Sequence, residues 1–113
     1  MSTVVDADAE TQVIALGGTV AMTEALRLES QVIEGIRAGR TRVVIDLTRV
    51  TATGPGLLGA LLRIRRGVTR VGGRLALVVD GPPVSELVAT SLLARLVQVT
   101  TDRERALAFV ADR

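Results

Sequence analysis

The sequence predicts an α/β fold, with a small mixed β-sheet of four to five strands and about four helices packed against it. Within residues 42–80, two apolar strand-like segments flank a run with helical spacing, which is typical of a parallel β-α-β unit. The remaining segments alternate in the same way and give the order β-β-α-β-α-β-α-β-α. No linker or internal repeat interrupts this order, so we expect the 113 residues to form one domain, residues 1–113.

The N-terminal third is predicted to contain two strands and a long helix. Residues 3–7 favour a short edge strand, and residues 12–16 a second strand that the glycine pair at 17–18 closes. Residues 21–38 have helical periodicity, and Gly35 should weaken that helix by ~1 kcal/mol relative to alanine. The apolar face of this helix consists of Ala25, Leu28, Val32 and Ile36, widened by Met22 and Ile33.

The central unit begins with a β-branched strand at residue 42 and continues into a loop of small residues at 51–56. A helix is predicted for residues 57–71 and an apolar strand for residues 75–79. The apolar residues of the helix recur at helical spacing: Leu57, Leu61, Ile64, Val68 and Val71. Because a strand end meets a helix N-terminus at 51–56, this loop is the first candidate for a functional site.

The C-terminal third is predicted to contain two helices and a last short strand. A turn precedes a helix at residues 84–94, and residues 96–99 favour the strand. The final helix covers residues 103–111, and either Thr101 or Asp102 can cap its start.

The side chains available argue against an enzyme. The chain has no histidine, cysteine or lysine, which removes the usual general base near neutral pH, the thiolate nucleophile and the Schiff-base amine. The ligands that soft metals prefer are missing as well. The carboxylates of Asp46, Asp80 and Asp102 are expected at strand or helix ends, in structural hydrogen bonds. We therefore expect no catalytic residue, no metal site and no cofactor.

Charge and hydropathy indicate a cytoplasmic protein that neither binds nucleic acid nor inserts into a membrane. No apolar run approaches the ~20 residues that span a bilayer, the first ten residues lack a basic side chain, and cysteine is absent. The formal net charge is only +2, and Phe109 is the only aromatic residue available for base stacking. Arg63, Arg66 and Arg70 form a stripe beside Arg65, which we interpret as the solvated face of an amphipathic helix.

One motif raises nucleotide binding as an alternative. Gly54-Pro55-Gly56-Leu57-Leu58-Gly59 matches the G-x-G-x-x-G pattern at the start of a helix, and Asp80 follows the next strand. However, a loop at 48–53 is expected to separate the strand from Gly54, and Pro55 lacks an amide donor for a phosphate. A simpler interpretation places Pro55 at the first helical position, between glycines that permit a tight entry.

The spacing of several motifs is similar to that of one protein family. Leu47 is followed by the small-residue loop, the helix and the Gly72-Gly73 turn without a gap. Further similar motifs are Gly18-Thr19-Val20, Pro83-Val84, Thr90-Ser91-Leu92-Leu93 and the terminal segment at 102–107. Over nearly its full length, the chain resembles a STAS domain, the fold of bacterial anti-sigma factor antagonists (anti-anti-sigma factors). The resemblance implies a STAS-like fold and a role in signalling and transcription regulation.

The resemblance also implies that the phosphorylation loop is degenerate. In the family, an anti-sigma kinase phosphorylates a serine or threonine of this loop, which ends partner binding, and Pro55 occupies that position here. Gly54 stands in place of the loop aspartate and Gly56 in place of the next hydroxyl residue. Leu57 replaces the loop glycine, and Ala21 replaces an acid ahead of the first helix. A phosphate would add about two negative charges and repel a partner, but Pro55 has no hydroxyl to carry it.

We therefore predict a non-enzymatic interaction domain that binds an anti-sigma factor/serine kinase-type regulator without phosphorylation at Pro55. The predicted partner-binding loop consists of Thr53, Gly54, Pro55, Gly56 and Leu58. Leu58 and, further along, Leu62 are expected either to join an exposed apolar patch or to pack against a neighbouring helix. Thr53 and Thr51 are alternative phosphosites, although for Thr53 we favour a helix-capping or loop hydrogen bond.

Two other functions stay open. One is a cytoplasmic STAS accessory subunit of a membrane transporter, which would act through the same loop. The other is a nucleotide-binding module that uses the glycines of residues 54–59. The sequence also allows a homodimer.

Overall fold

The computed structural model describes the backbone of residues 2–112 and the side chains of residues 8–112. Its elements in chain order are β1 (Ser2–Ala7), β2 (Thr11–Val20), α1 (Met22–Arg37), β3 (Arg42–Thr53), α2 (Gly56–Arg70), β4 (Arg74–Val78), α3 (Val84–Ala89), α4 (Leu93–Leu96), β5 (Gln98–Thr100) and α5 (Arg103–Ala111). The strands form one five-stranded sheet in the order β1-β2-β3-β4-β5. β1 is antiparallel to β2, and the other neighbouring pairs are parallel. The predicted mixed α/β sheet is confirmed.

Helices cover both faces of this sheet. The larger apolar core lies between one face and helices α1, α2, α3 and α4, whereas α5 packs on the other face. Successive residues of β3 point to opposite sides, so that Val43 and Ile45 join the larger core and Val44 packs beneath α5. Because β3 is buried on both faces, it needs the continuous β-branched run that the sequence supplies.

β3 is longer than the sequence predicts. β4 pairs with β3 only as far as Asp46, but β2 continues to pair with β3 up to Thr53. The loop predicted at 48–53 is therefore wrong, since these residues form the end of a strand. Hydrophobic periodicity misses the extension because Val50 is the one buried residue in that segment. β2 likewise continues through its glycine pair, with shifts in register rather than a stop.

Helices α1 and α2 bury most of their predicted apolar faces. The buried residues are Ala25, Leu28 and Val32 of α1 and Leu57, Leu61, Ile64 and Val68 of α2. Met22 and Ile33 are 49% and 37% exposed, so the widening of the α1 face that we predicted from them is wrong. Val71 is 48% exposed because it follows Arg70, where α2 ends.

The helix predicted at 84–94 is in fact two helices, α3 and α4, so residues 2–112 contain five helices instead of about four. Hydroxyl groups occupy the break between them. The Thr90 hydroxyl donates to the carbonyl oxygen of Glu86 at 2.7 Å, and the Ser91 hydroxyl accepts from the N–H of Leu93 at 3.3 Å. Such local bonds offer the backbone an alternative to continuing the helix.

A buried carboxylate joins α5 to the sheet. Asp46 lies within β3, not at a strand end as predicted, and is 7% exposed. Its Oδ1 accepts from the N–H and hydroxyl of Thr48 at 2.9 and 2.6 Å, and its Oδ2 accepts from Nε and Nη2 of Arg103 at 3.1 and 2.6 Å. Burial raises the pKa of Asp46, but these hydrogen bonds outweigh burial and hold the pKa below its ordinary value. Asp102 caps α5 as predicted, accepting from the N–H of Arg105 at 2.8 Å.

Candidate functional site at the start of α2

The starts of α1 and α2 lie side by side because the strands that precede them are parallel neighbours. Val20, the last residue of β2, pairs with Thr53, the last residue of β3. The N–H of Gly54 then donates to the carbonyl oxygen of Val20 at 2.8 Å, which holds the two helix starts together. Residues 53–58 are called the α2 entrance below.

Two glycines let the first turn of α1 approach the α2 entrance closely. A Cβ on Gly54 would lie 3.3 Å from the carbonyl oxygen of Val20. A Cβ on Gly56 would lie 2.7 Å from Sδ and 3.3 Å from Cα of Met22. At both positions a Cβ would lie closer to the neighbouring backbone than in ordinary contact, which is a physical reason for glycine on both sides of Pro55.

Pro55 is the exposed residue of the α2 entrance. It is the N-cap residue, with φ −70° and ψ −15°, so Gly56 and not Pro55 is the first helical residue. The first N–H groups of a helix have no acceptor within it, and the missing N–H of proline therefore costs α2 no hydrogen bond. The outward side chain at this point has no hydroxyl and cannot carry a phosphate.

The rest of the predicted partner-binding loop is only partly accessible. Residues 53–55 are open to solvent, Pro55 most of all, whereas Gly56 is buried. Leu58 is partly buried and packs against the larger core, as does Leu62. The structure thus favours packing over an exposed patch for these two leucines.

The hydroxyl groups upstream of Pro55 do not cap α2. The N-cap residue of this helix is Pro55, so Thr53 is not its N-cap, and the loop hydrogen bond that we favoured as the other role of Thr53 stays a prediction. Thr53 is half-exposed at the end of β3, and Thr51 is exposed. A phosphosite at either threonine stays a prediction.

Sequence reasoning missed an exposed apolar surface on α1. Met22 and Leu26 are each 49% exposed, and Ile33 is 37% exposed. These positions recur with helical spacing along one side of α1, and Met22 lies against Gly56 of the α2 entrance. A helical projection could have found Leu26, because it falls outside the buried face of the helix.

The α2 entrance itself carries no charged side chain. The nearest ion pair between the two helices joins Nε of Arg63 to Oε1 of Glu29 at 2.8 Å. Arg66 and Arg70 are exposed further along α2, as expected for a solvated helix face. A partner at the α2 entrance would therefore meet a largely apolar, uncharged surface.

The geometry bears on the G-x-G-x-x-G motif in two ways. β3 runs directly up to Gly54, so a separating loop at 48–53 no longer counts against nucleotide binding. On the other side, the N–H of Gly54 already donates to a backbone carbonyl, Pro55 has no N–H, and Gly56 is buried. The amides of residues 54 and 55 are thus unavailable to a phosphate, which leaves only the first N–H groups of α2 itself.

Two further features limit the kind of site. Among the side chains of residues 8–112, no three His, Cys, Asp or Glu residues are grouped closely enough to hold a metal ion. Within residues 2–112, no helix is both long and apolar enough to cross a membrane. The five-stranded mixed sheet, with helices on both faces and an uncharged α2 entrance, defines a small α/β domain.

Comparison with known proteins identifies the family. The family model described as "Mlab, STAS domain" matches residues 3–100, and the chain belongs to this STAS family. The resemblance predicted from the motifs is thereby confirmed. Comparison with curated proteins gives no match.

Solved structures with this fold include anti-sigma factor antagonists. One from Mycobacterium paratuberculosis has a TM-score of 0.86 at 23% sequence identity, covering 99% of this chain and 94% of that chain. The anti-sigma factor antagonist SpoIIAA in its unphosphorylated form has a TM-score of 0.79 at 18% identity, covering 100% of both chains. The phosphorylated form of the Bacillus cell fate determinant SpoIIAA has a TM-score of 0.78 at 21% identity, covering 97% and 99%. These similarities establish the STAS-like fold.

Proposed function

We propose that the chain acts as a single, non-enzymatic STAS domain in the cytoplasm, which binds an anti-sigma factor/serine kinase-type regulator through the α2 entrance. The observation that carries this proposal is the exposed Pro55, at the position where the resemblance places the family's phosphoacceptor. Binding at this surface would not be ended by phosphorylation at Pro55, because proline has no hydroxyl. The protein would act as an antagonist that its kinase cannot release there.

The chemistry of the surface supports a contact role. Pro55, Met22 and Leu26 expose apolar side chains, Met22 lies against Gly56 of the α2 entrance, and the α2 entrance carries no charge. Fully burying an exposed Leu or Met side chain contributes roughly 1.5–3 kcal/mol, and because Met22 and Leu26 are each 49% exposed, a partner that covers them gains about half of that from each. SpoIIAA, which shares the fold, has been solved in phosphorylated and unphosphorylated forms. Pro55 has no hydroxyl, so this chain cannot switch between two such forms at that position.

The first experiment restores the missing hydroxyl. The serine kinase-type anti-sigma factors of the source organism are each immobilised, loaded with the wild-type protein or with Pro55→Ser, and then given ATP. We expect one kinase to retain the wild type in ATP and to release Pro55→Ser, whose intact mass rises by one phosphate. Val71→Ser serves as the control, because it places a hydroxyl on an exposed side chain at the far end of α2.

The outcomes separate the proposal from its alternatives. Release of the wild type by ATP, with a phosphate on Thr51 or Thr53, would contradict the proposal. The chain would then be an antagonist that phosphorylation at a displaced site releases. Failure of every kinase to bind, with recovery of a membrane transporter subunit from lysate, would favour the accessory-subunit function. Saturable binding of ATP to the isolated protein in equilibrium dialysis, lost in Gly56→Val, would favour the nucleotide-binding module.

A second experiment tests where the partner docks. Met22→Lys places a charge beside the α2 entrance, and Leu92→Lys makes the same change on a side chain that is 64% exposed at the start of α4. We expect Met22→Lys to weaken binding of the retained kinase at least tenfold and Leu92→Lys to leave it unchanged. Equal effects of the two substitutions on binding would contradict docking at the α2 entrance.

A further inference from the structure

A cleft lies at the opposite end of α2 from the α2 entrance. The cleft has a volume of about 190 Å³ and lies where the end of α2 and the start of β4 meet the residues around β5 and the end of α5. α2 has 15 residues, and at ~1.5 Å per residue the cleft is about 20 Å from Pro55. It is called the basal cleft below, and it is separate from the surface of the proposed function.

Two arginines line the basal cleft, and the fold holds each of them through its Nε. Nε of Arg65 donates to the carbonyl oxygen of Leu96 at 3.2 Å, and Nε of Arg74 donates to that of Phe109 at 2.9 Å. The guanidinium carbon of Arg74 also lies 4.2 Å from the centre of the Phe109 ring. These contacts restrict both side chains before any ligand arrives, so less conformational freedom is lost on binding.

The positive charges of the basal cleft are not neutralised within the described part of the chain. No Asp or Glu lines the cleft, and neither Arg65 nor Arg74 forms an ion pair with a carboxylate of residues 8–112. A guanidinium has five N–H donors, and in each of these two arginines one donor is used. Arg103, by contrast, is paired with the carboxylate of Asp46.

The walls of the basal cleft select the kind of anion. Apolar side chains of Val68, Leu75 and Val97 line it together with the two arginines. The volume is below the ~300 Å³ at which pockets for drug-sized ligands begin, so only a small molecule fits. Guanidinium groups recognise the planar or tetrahedral oxygens of carboxylates and phosphates through paired hydrogen bonds.

We propose that the basal cleft binds a small anion, whose carboxylate or phosphate group lies between Arg65 and Arg74. An aliphatic part of such a molecule would cover the half-buried Val97. The site needs no residue of the α2 entrance, and it therefore stands whether or not the chain binds a serine kinase-type regulator.

The test is a titration of the ¹⁵N-labelled protein followed by backbone amide NMR, with three probes. Sodium butyrate supplies a carboxylate with an aliphatic tail, inorganic phosphate supplies the anion alone, and butanol supplies the tail alone. We expect butyrate, phosphate or both to shift the amides of Gly73, Leu75 and Gln98 saturably, and butanol to cause no saturable shift. The anion that binds more tightly indicates whether the natural ligand carries a carboxylate or a phosphate group.

Substitutions decide whether the two arginines are responsible. Arg65→Gln and Arg74→Gln should each weaken anion binding at least tenfold, while Arg66→Gln, which removes the same charge from the exposed side of α2, should not. The dispersion of the amide spectrum of Arg74→Gln shows whether loss of the Arg74 contacts unfolds the protein. If it does, Arg65→Gln alone tests the proposal. No saturable shift with either anion, equal loss in Arg66→Gln, or shifts spread over all surface arginines would overturn the proposal.

Discussion

Replacing Gly35 in α1 by alanine should destabilise the protein, although helix propensity predicts the opposite. A glycine within a helix costs roughly 0.5–1 kcal/mol relative to alanine. However, a Cβ on Gly35 would overlap the side-chain amide of Gln12. Gln12 is 4% exposed, and its Nε2 donates to the carbonyl oxygens of Val32 and Arg40, both at 3.1 Å. The added methyl group must therefore displace a buried amide that joins β2 to α1 and to the segment that follows α1.

The magnitude follows from the groups left without partners. A buried polar group that loses its hydrogen bond costs about 1–3 kcal/mol, and Gln12 bonds two carbonyl groups. Loss of both bonds costs about 2–6 kcal/mol, so after the gain in helix propensity the net loss in free energy of unfolding for Gly35→Ala should be about 1–5 kcal/mol. For a domain of this size, each kcal/mol lowers Tm by roughly 4 °C.

Urea unfolding followed by circular dichroism measures this loss, with Gly67→Ala as the matched control. Gly67 also lies within a helix, but a Cβ there would meet only Cδ1 of Ile36, at 4.0 Å. Gly67→Ala should stabilise by about 0.5–1 kcal/mol. In a Gln12→Ala background, Gly35→Ala should become neutral or stabilising, because the obstacle is gone. If Gly35→Ala stabilises the otherwise unchanged protein as much as Gly67→Ala does, the argument is wrong.

Two further predictions concern α5. The pKa of Asp46 is lowered in the folded state, so its carboxylate stabilises fully above the unfolded value of ~3.9, and this stabilisation is lost as pH falls through the folded value. Asp46→Asn, which weakens the bond to Arg103, should lower the free energy of unfolding by about 2 kcal/mol at neutral pH and make it fall less steeply in acid. Urea titrations at several pH values measure both effects. An unchanged dependence of the free energy of unfolding on acid pH would contradict the prediction. Asp102→Ala removes the cap of α5 and should cost ~1 kcal/mol in the same assay, whereas Asp80→Ala, at an exposed position, should change stability by less than about 0.5 kcal/mol.

The sequence was informative wherever burial leaves a simple apolar pattern. The strand at Val43–Val44–Ile45 was predictable because a strand buried on both faces is continuously apolar, and the helix face of Leu57 and Leu61 because its burial repeats with the helix period. The end of β3 was not, because residues 48–53 are held by backbone pairing with β2 while most of their side chains face solvent. Pairing of that kind leaves no hydrophobic pattern to detect.

The candidate site was predictable in position but not in composition. The resemblance placed Pro55 at the loop, and the structure exposes it there. That Gly56 is buried and Met22 exposed depends on how two helix starts meet across parallel strands, a contact between residues distant in sequence. The ion pair of Arg103 with Asp46 also joins residues distant in sequence, and no local sequence pattern predicts it.

The central claim is that this STAS domain works by contact through the α2 entrance. The most direct measurement is amide hydrogen exchange of the protein, free and bound to the serine kinase-type regulator that retains it, with ATP present throughout. We predict slower exchange in residues 54–58 and in residues 22–26 of the bound protein, with no phosphate on the chain. Slower exchange confined to α5 and β5, with the α2 entrance unchanged, would contradict the claim.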